Sequence, residues 1–203
     1  MGYRILLADD HALSRKAVKN YLLNLGIASQ ISEAGTGDEA IEILDSYEID
    51  LAILDMRMPG KNGFQTAEWA SANRPGVKIL VATTYNEASL ILNFINLGIA
   101  GYMLKSDAGL EEAIETVMTG GFYCTPGLMP SRTSAQGIRP VSVTEKEKKI
   151  LELIALGKSS EEISFALSLT KNTIDSYRKD LLEKFQLSNS TQLIDYAHRT
   201  GLL

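Results

Sequence analysis

Four short stretches of the 203-residue chain hold the residues best suited to chemistry: LLADDH ending at His11, LDMRMPG around Asp55, VATTY around Thr83, and GYMLKS around Lys105. In each, an apolar run stops abruptly at a polar group. Asp9 and Asp10 are adjacent carboxylates at such a stop. Like charges repel, and at the edge of an apolar sheet they are poorly solvated, so both stay ionised only beside a cation or a hydrogen-bond donor. Asp55 adds a third carboxylate, Thr83 and Thr84 add hydroxyls, and Lys105 adds an ammonium. Carboxylate-rich sites suit hard cations, and Mg²⁺ is typically held through one or two carboxylates, with water and phosphate oxygens completing its shell. A carboxylate in such company can also attack phosphorus. The cation, the ammonium and a hydroxyl would then neutralise the transferring oxygens.

These groups are far apart in sequence, so the elements between them must gather them. Strand-like runs cover Arg4 to Ala8, Ser29 to Glu33, Leu51 to Leu54, Lys78 to Thr83 and Gly101 to Leu104. Helical patterns alternate with them. Leu13, Ala17, Tyr21, Leu22 and Leu25 repeat at threes and fours before Gly26, and Ala40, Ile41 and Leu44 follow Gly37. Further helices are expected over Phe64 to Asn73, Glu87 to Leu97 and Leu110 to Thr119, stopped by Pro75, Gly98 and Gly120. Five βα units predict an α/β fold: a doubly wound, five-stranded parallel sheet covered on both faces. Such sheets carry their sites at the carboxyl ends of strands, where all of these polar residues would stand.

The four motifs resemble the receiver domain of bacterial two-component response regulators, over about residues 3 to 121. The resemblance implies that Asp55 accepts a phosphoryl group from a sensor histidine kinase. It also implies that Asp10, Asp55 and the Met56 carbonyl ligate Mg²⁺, with Asp9 assisting through water. Lys105 would pair with the phosphoryl group, Thr83 would be the switch hydroxyl, and Tyr102 the switch aromatic whose inward turn reports phosphorylation. His11 could relay protons or bind metal, but its simpler reading is a residue that caps or lines the following helix.

From Gly120 to Pro140 the periodicity breaks in a stretch rich in Gly, Pro, Ser and Thr, read as a linker with a partly ordered start. Behind it, TEKE at Thr144 and SSEE at Ser159 match helix capping boxes, a third helix begins near Lys171, and a fourth runs through Gln192 to Thr200. A three-residue turn between the second and third makes a helix-turn-helix candidate. The domains are therefore 1–122, 123–140 as linker, and 141–203. The last segment resembles the LuxR-type helix-turn-helix, which with the receiver points to the NarL/FixJ response regulators. By that resemblance Lys171 to Phe185 is the recognition helix: Asp175, Ser176 and Lys179 face DNA bases, Lys171, Thr173 and Lys184 face the backbone, and Asn172 is a further DNA-binding position. The family commonly has Lys at 172 and 175 and Arg at 190, where this chain has Asn172, Asp175 and Ser190. Fewer cations mean less counterion release and weaker or less salt-dependent binding.

Composition agrees. An apolar content of 45%, a net charge of −5 and a single cysteine are those of a globular protein without internal disulfides, and no apolar run approaches the ~20 residues of a membrane span. Residues 1–122 carry 16 acids against 9 bases, whereas residues 141–203 balance 9 against 9. The expected protein is a cytoplasmic, non-enzymatic, phosphorylation-dependent transcription factor that binds promoter DNA as a homodimer. Two rivals are a signalling adaptor whose rear helices bind protein, which the missing cations favour, and a small phosphatase. The phosphatase is disfavoured because no second acid stands two residues beyond Asp55.

Overall fold

A computed structural model describes residues 2–84, 88–128, 143–185, 187–200 and 202–203. The chain divides into two compact units, Met1–Arg139 and Pro140–Leu203.

The front unit is a parallel sheet in the order β2-β1-β3-β4-β5-β6. Its strands are β1 (Tyr3–Ala8), β2 (Ala28–Ala34), β3 (Leu51–Asp55), β4 (Lys78–Thr83), β5 (Gly101–Leu104) and β6 (Tyr123–Cys124). Between them run α1 (Ala12–Asn24), α2 (Gly37–Ser46), α3 (Gly63–Asn73), α4 (Ala88–Asn96) and α5 (Leu110–Met118). Strand residues point alternately to the two faces. Leu6, Ala52, Leu54 and Val81 therefore pack with Leu44 of α2, Ala67 of α3 and Phe94 of α4. Ile5, Leu7, Ile53 and Leu80 pack with Leu22 of α1 and Ile114 of α5. Burial on both faces explains why these strands read as continuous apolar runs rather than alternating ones.

Two details differ from expectation. The sheet has six strands, not five, because Tyr123 and Cys124, assigned to the linker, pair with β5. The N–H groups of Tyr123 and of the following Thr125 donate to the carbonyls of Ala100 and Tyr102 at 3.1 and 3.2 Å. Two residues are too few to show a period of two, so the strand leaves no sequence signal. The remainder of the expected linker, from residue 129, and the expected start of the fourth helix at Glu87 lie outside the described residues. Finally, α1 does not bury the apolar repeat read from its sequence: Leu13, Tyr21 and Leu25 are 86, 42 and 46% exposed, and only Leu22 is buried. Its inward face is instead Ser14, Arg15, Val18 and Leu22, at i, i+1, i+4 and i+8, so polar side chains are carried to the end of β1.

The rear unit has α6 (Glu145–Ala155), α7 (Ser160–Leu167), α8 (Lys171–Lys184) and α9 (Ser190–Thr200) around Ile150, Ile154, Ile163, Ile174, Leu181 and Leu193. Thr144 and Ser159 form reciprocal capping boxes with Glu147 and Glu162, as their spacing predicts. The turn from α7 to α8 passes through Ser168 at φ 53°, a left-handed conformation uncommon outside glycine. No helix among the described residues is long and apolar enough to cross a membrane.

Candidate functional site

Parallel β1, β3, β4 and β5 end on one edge of the sheet, and their registers decide which side chains meet there. Ala8 pairs with Leu54, Asp55 with Ala82, and Thr83 with Leu104. Asp9, Asp55, Thr83 and Lys105 therefore stand at or just past neighbouring strand ends. The Lys105 ammonium lies 2.8 Å from both Asp9 Oδ2 and Asp55 Oδ2, bridging acids 46 positions apart in sequence. Asp10 and His11 complete a group with Asp9 and Asp55 in which one ligand atom from each lies within 4.8 Å of the others.

Asp9 and Asp55 are 8 and 7% exposed. Removal from water raises a carboxylate's pKa, while donors and cations lower it. For Asp9, burial is the largest single influence and acts upward. It is outweighed by the Lys105 ammonium, the His11 backbone N–H at 2.8 Å and the Ser14 hydroxyl at 2.7 Å, so the carboxyl titrates below its ordinary value. For Asp55 burial wins: Lys105 opposes it, the Asp9 charge reinforces it, and the carboxyl titrates above its ordinary value. Lys105 is pushed down by burial but raised more by its two carboxylate partners, so it remains an ammonium. The Met56 backbone N–H donates to Asp55 Oδ1 at 2.7 Å, fixing the carboxylate plane. The Met56 carbonyl accepts from Gly63 N–H at 3.1 Å, which leaves its second lone pair free to coordinate.

The loop after β3 closes tightly. A Cβ on Gly63 would stand 2.1 Å from the Asp55 carbonyl oxygen, so any side chain there would displace the acid. Thr83 is fully buried, and its carbonyl accepts from Lys105 N–H at 2.7 Å. Tyr102 is fully buried, its ring 5.8 Å from that of Phe94. All the front-unit residues singled out from the sequence thus lie at one sheet edge or, for Tyr102, within the β5 strand that leads to it. The three carboxylates of this group offer oxygen donors, which suit Mg²⁺.

Three participants carry no clear sequence signal. Ser14 and Arg15 sit on α1, with Arg15 donating to the Asp9 carbonyl, and both line a pocket of about 150 Å³ beside Asp9, Asp55 and Lys105. Their placement depends on the rotation of α1, which its misleading apolar repeat conceals. Asp107 accepts from Tyr123 Oη at 2.9 Å and Thr125 Oγ1 at 2.7 Å, tying β6 to the loop that follows Lys105.

In the rear unit, Lys171, Asn172, Asp175, Ser176 and Lys179 are exposed on α8. Thr173 and Lys184 are engaged within the fold. The Thr173 hydroxyl lies 2.8 Å from that of Thr170, and the Lys184 ammonium lies 2.9 Å from Glu147 Oε1 of α6.

Comparison with known proteins agrees with both halves. The family model for the response regulator receiver domain matches residues 5–115, and that for bacterial regulatory proteins of the luxR family matches residues 141–197. The transcriptional regulatory protein DesR of Bacillus subtilis is 32% identical over 97% of each chain. The response regulator UvrY of Escherichia coli is 30% identical over 98% of this chain and 94% of its own. RcsB from Salmonella enterica serovar Typhimurium, solved bound to promoter rprA with a phosphomimetic, has the same fold: TM-score 0.67, 22% identity, and full coverage of both chains.

Proposed function

Because this chain belongs to the response regulators, with a receiver domain in front of a luxR-family domain, we propose that a histidine kinase phosphorylates it on Asp55 and that the phosphorylated form acts on promoter DNA. The observation that carries this reading is Lys105 spanning Asp9 and Asp55 at 2.8 Å each, an ammonium already in place for a phosphoryl group on Asp55. In the transfer, an Asp55 carboxylate oxygen forms a bond to phosphorus as the phosphorus–nitrogen bond of the kinase phosphohistidine breaks, and the leaving imidazole takes up a proton. Lys105 exchanges its contact with Asp55 for one with a phosphoryl oxygen. Asp10, Asp55 and the Met56 carbonyl would hold Mg²⁺, with Asp9 assisting through water, and the bound ion supplies positive charge to the transferring oxygens.

The Thr83 hydroxyl then reaches the phosphoryl group, beside a Tyr102 ring that already lies inward, fully buried against Phe94. That shifts the surface of β4, α4 and β5 between two states. Homodimers formed through the altered receiver present two rear units to paired half-sites on DNA. The exposed α8 residues Asn172, Asp175, Ser176 and Lys179 meet bases, and Lys171 meets the phosphate backbone. Thr173 and Lys184 would face the backbone while sharing their donors with partners inside the fold. Asp175 suits a cytosine N4 donor. The protein works in the cytoplasm, where kinase and promoter are both accessible.

Incubation with acetyl phosphate and Mg²⁺, followed by intact-mass and peptide mass spectrometry, tests the proposal. One phosphoryl group is expected on Asp55 and none on Asp55→Asn, a loss of more than about 100-fold in incorporation. Gel-shift titration of both forms then tests the output: tighter DNA binding and dimerisation are expected only for the phosphorylated wild type. Label on another residue, or equal affinity in both states, contradicts the reading.

A further inference from the structure

His11 holds the N-cap position of α1, with extended backbone at φ −88° and ψ 99°, yet its side chain makes no capping hydrogen bond. The helix has no acid in its first turn to compensate. The ring turns away from the helix and toward the acids: Nδ1 lies 2.6 Å from Asp10 Oδ1 and 3.4 Å from Asp9 Oδ1. Two lone pairs do not approach within 2.6 Å in the absence of a cation, so a hydrogen on Nδ1 is shared with the Asp10 carboxylate. The residue therefore addresses both acids of the pair, Asp9 through its backbone N–H and Asp10 through its ring.

The two acids differ in what else holds them. Asp9 has Lys105 and Ser14. Asp10, with its side chain 33% exposed, has the imidazole as its one hydrogen-bond or ion-pair partner among the described residues. An exposed carboxylate held by nothing samples several rotamers and loses that freedom when it binds a cation. Partners outside the coordination shell that fix a ligand's orientation typically contribute 10- to 100-fold in metal affinity.

We propose that His11 is a positioning residue for the divalent cation. Its ring holds the Asp10 carboxylate in the ligating orientation without itself coordinating, and thereby sets the cation affinity of the phosphorylation site. This rests on the reading of Asp10 as a metal ligand given above. The helix cap that His11 forgoes is the local cost of that arrangement.

The test is a titration of full-length protein with Mn²⁺, followed by the free-ion electron paramagnetic resonance signal, with Mg²⁺ as competitor. Wild type, His11→Ala, His11→Asn and Asp10→Asn are compared. His11→Ala is expected to weaken Mn²⁺ and Mg²⁺ binding roughly 10-fold or more. His11→Asn, whose amide can still donate, is expected to recover most of the loss. The melting temperature without metal should be the same in wild type and His11→Ala, because the ring is 73% exposed, and equal or higher in His11→Asn, because asparagine at this N-cap position can cap the helix. Unchanged affinity in His11→Ala, or equal loss in His11→Ala and His11→Asn, overturns the positioning role. Nitrogen hyperfine coupling to Mn²⁺ in pulsed spectra of the wild type, absent from His11→Asn, also overturns it by making the ring a ligand. Failure of the underlying reading looks different: wild type would then bind no Mn²⁺ at millimolar concentration, or Asp10→Asn would bind as tightly as wild type.

Discussion

In the front unit Asp9 and Asp55 are buried side by side against one ammonium, whereas in the rear unit Thr144 with Glu147 and Ser159 with Glu162 spend their polar groups on helix starts. The first arrangement is non-local. It joins residues from strands far apart in sequence and keeps Asp55 above its ordinary pKa. The second is local, each partner three residues from the other, and it lowers its acids: Glu162 falls to about 2 through the Ser159 backbone N–H and the Lys158 ammonium. Charge in the front unit thus opposes folding in part and is held for chemistry, while charge in the rear unit marks where helices begin and, through Lys184 on Glu147, ties α8 to α6.

Removing the ammonium breaks this contrast most severely. Lys105→Met leaves two buried carboxylates without a counter-ion, and metal-free denaturation should show a loss of about 3 kcal/mol. Asp55→Asn acts oppositely. It deletes a carboxylate whose ionisation burial disfavours, so stability should rise while phosphoryl incorporation disappears. Destabilisation by both substitutions would mean that the site is an ordinary structural ion pair.

The rear unit should respond less. Thr144→Ala removes the acceptor for Glu147 N–H and should cost about 1 kcal/mol, read as faster amide exchange confined to the first turn of α6. A much larger loss would show that the cap supports the tertiary core as well as the helix start.

The smallest effect at neutral pH concerns Tyr123. Burial, then its hydrogen bond to the Asp107 carboxylate, pushes this phenol from 10.0 up to about 12. A raised value in the folded state means a contribution that is complete below about pH 10 and is lost as pH rises toward about 12. Tyrosine ¹³C NMR titration should show this late ionisation, and Asp107→Ala should move it earlier while leaving neutral-pH stability of the rear unit unchanged.

Much of this was legible in the chain. Apolar runs ending at Asp9, Asp55, Thr83 and Lys105 identify strands and place those residues at carboxyl ends, because a parallel sheet aligns its strands in one direction. TEKE and SSEE fix two helix starts because a capping box is closed within four residues. The β6 strand was hidden because two residues have no period, and the inward face of α1 because Leu13, Tyr21 and Leu25 imitate a core stripe while standing in solvent.

What the sequence by itself determined is the inventory and its order: which groups end each strand, where helices begin, and that a receiver precedes a luxR-family domain. Only the tertiary structure decided how those groups share one ammonium, that Ser14 and Arg15 line the pocket, and that His11 faces Asp10 rather than its own helix. Local pattern records covalent neighbours and periodic faces. Helix rotation, strand register and the balance of burial against hydrogen bonding are set by contacts between distant segments, and no short stretch of sequence contains them.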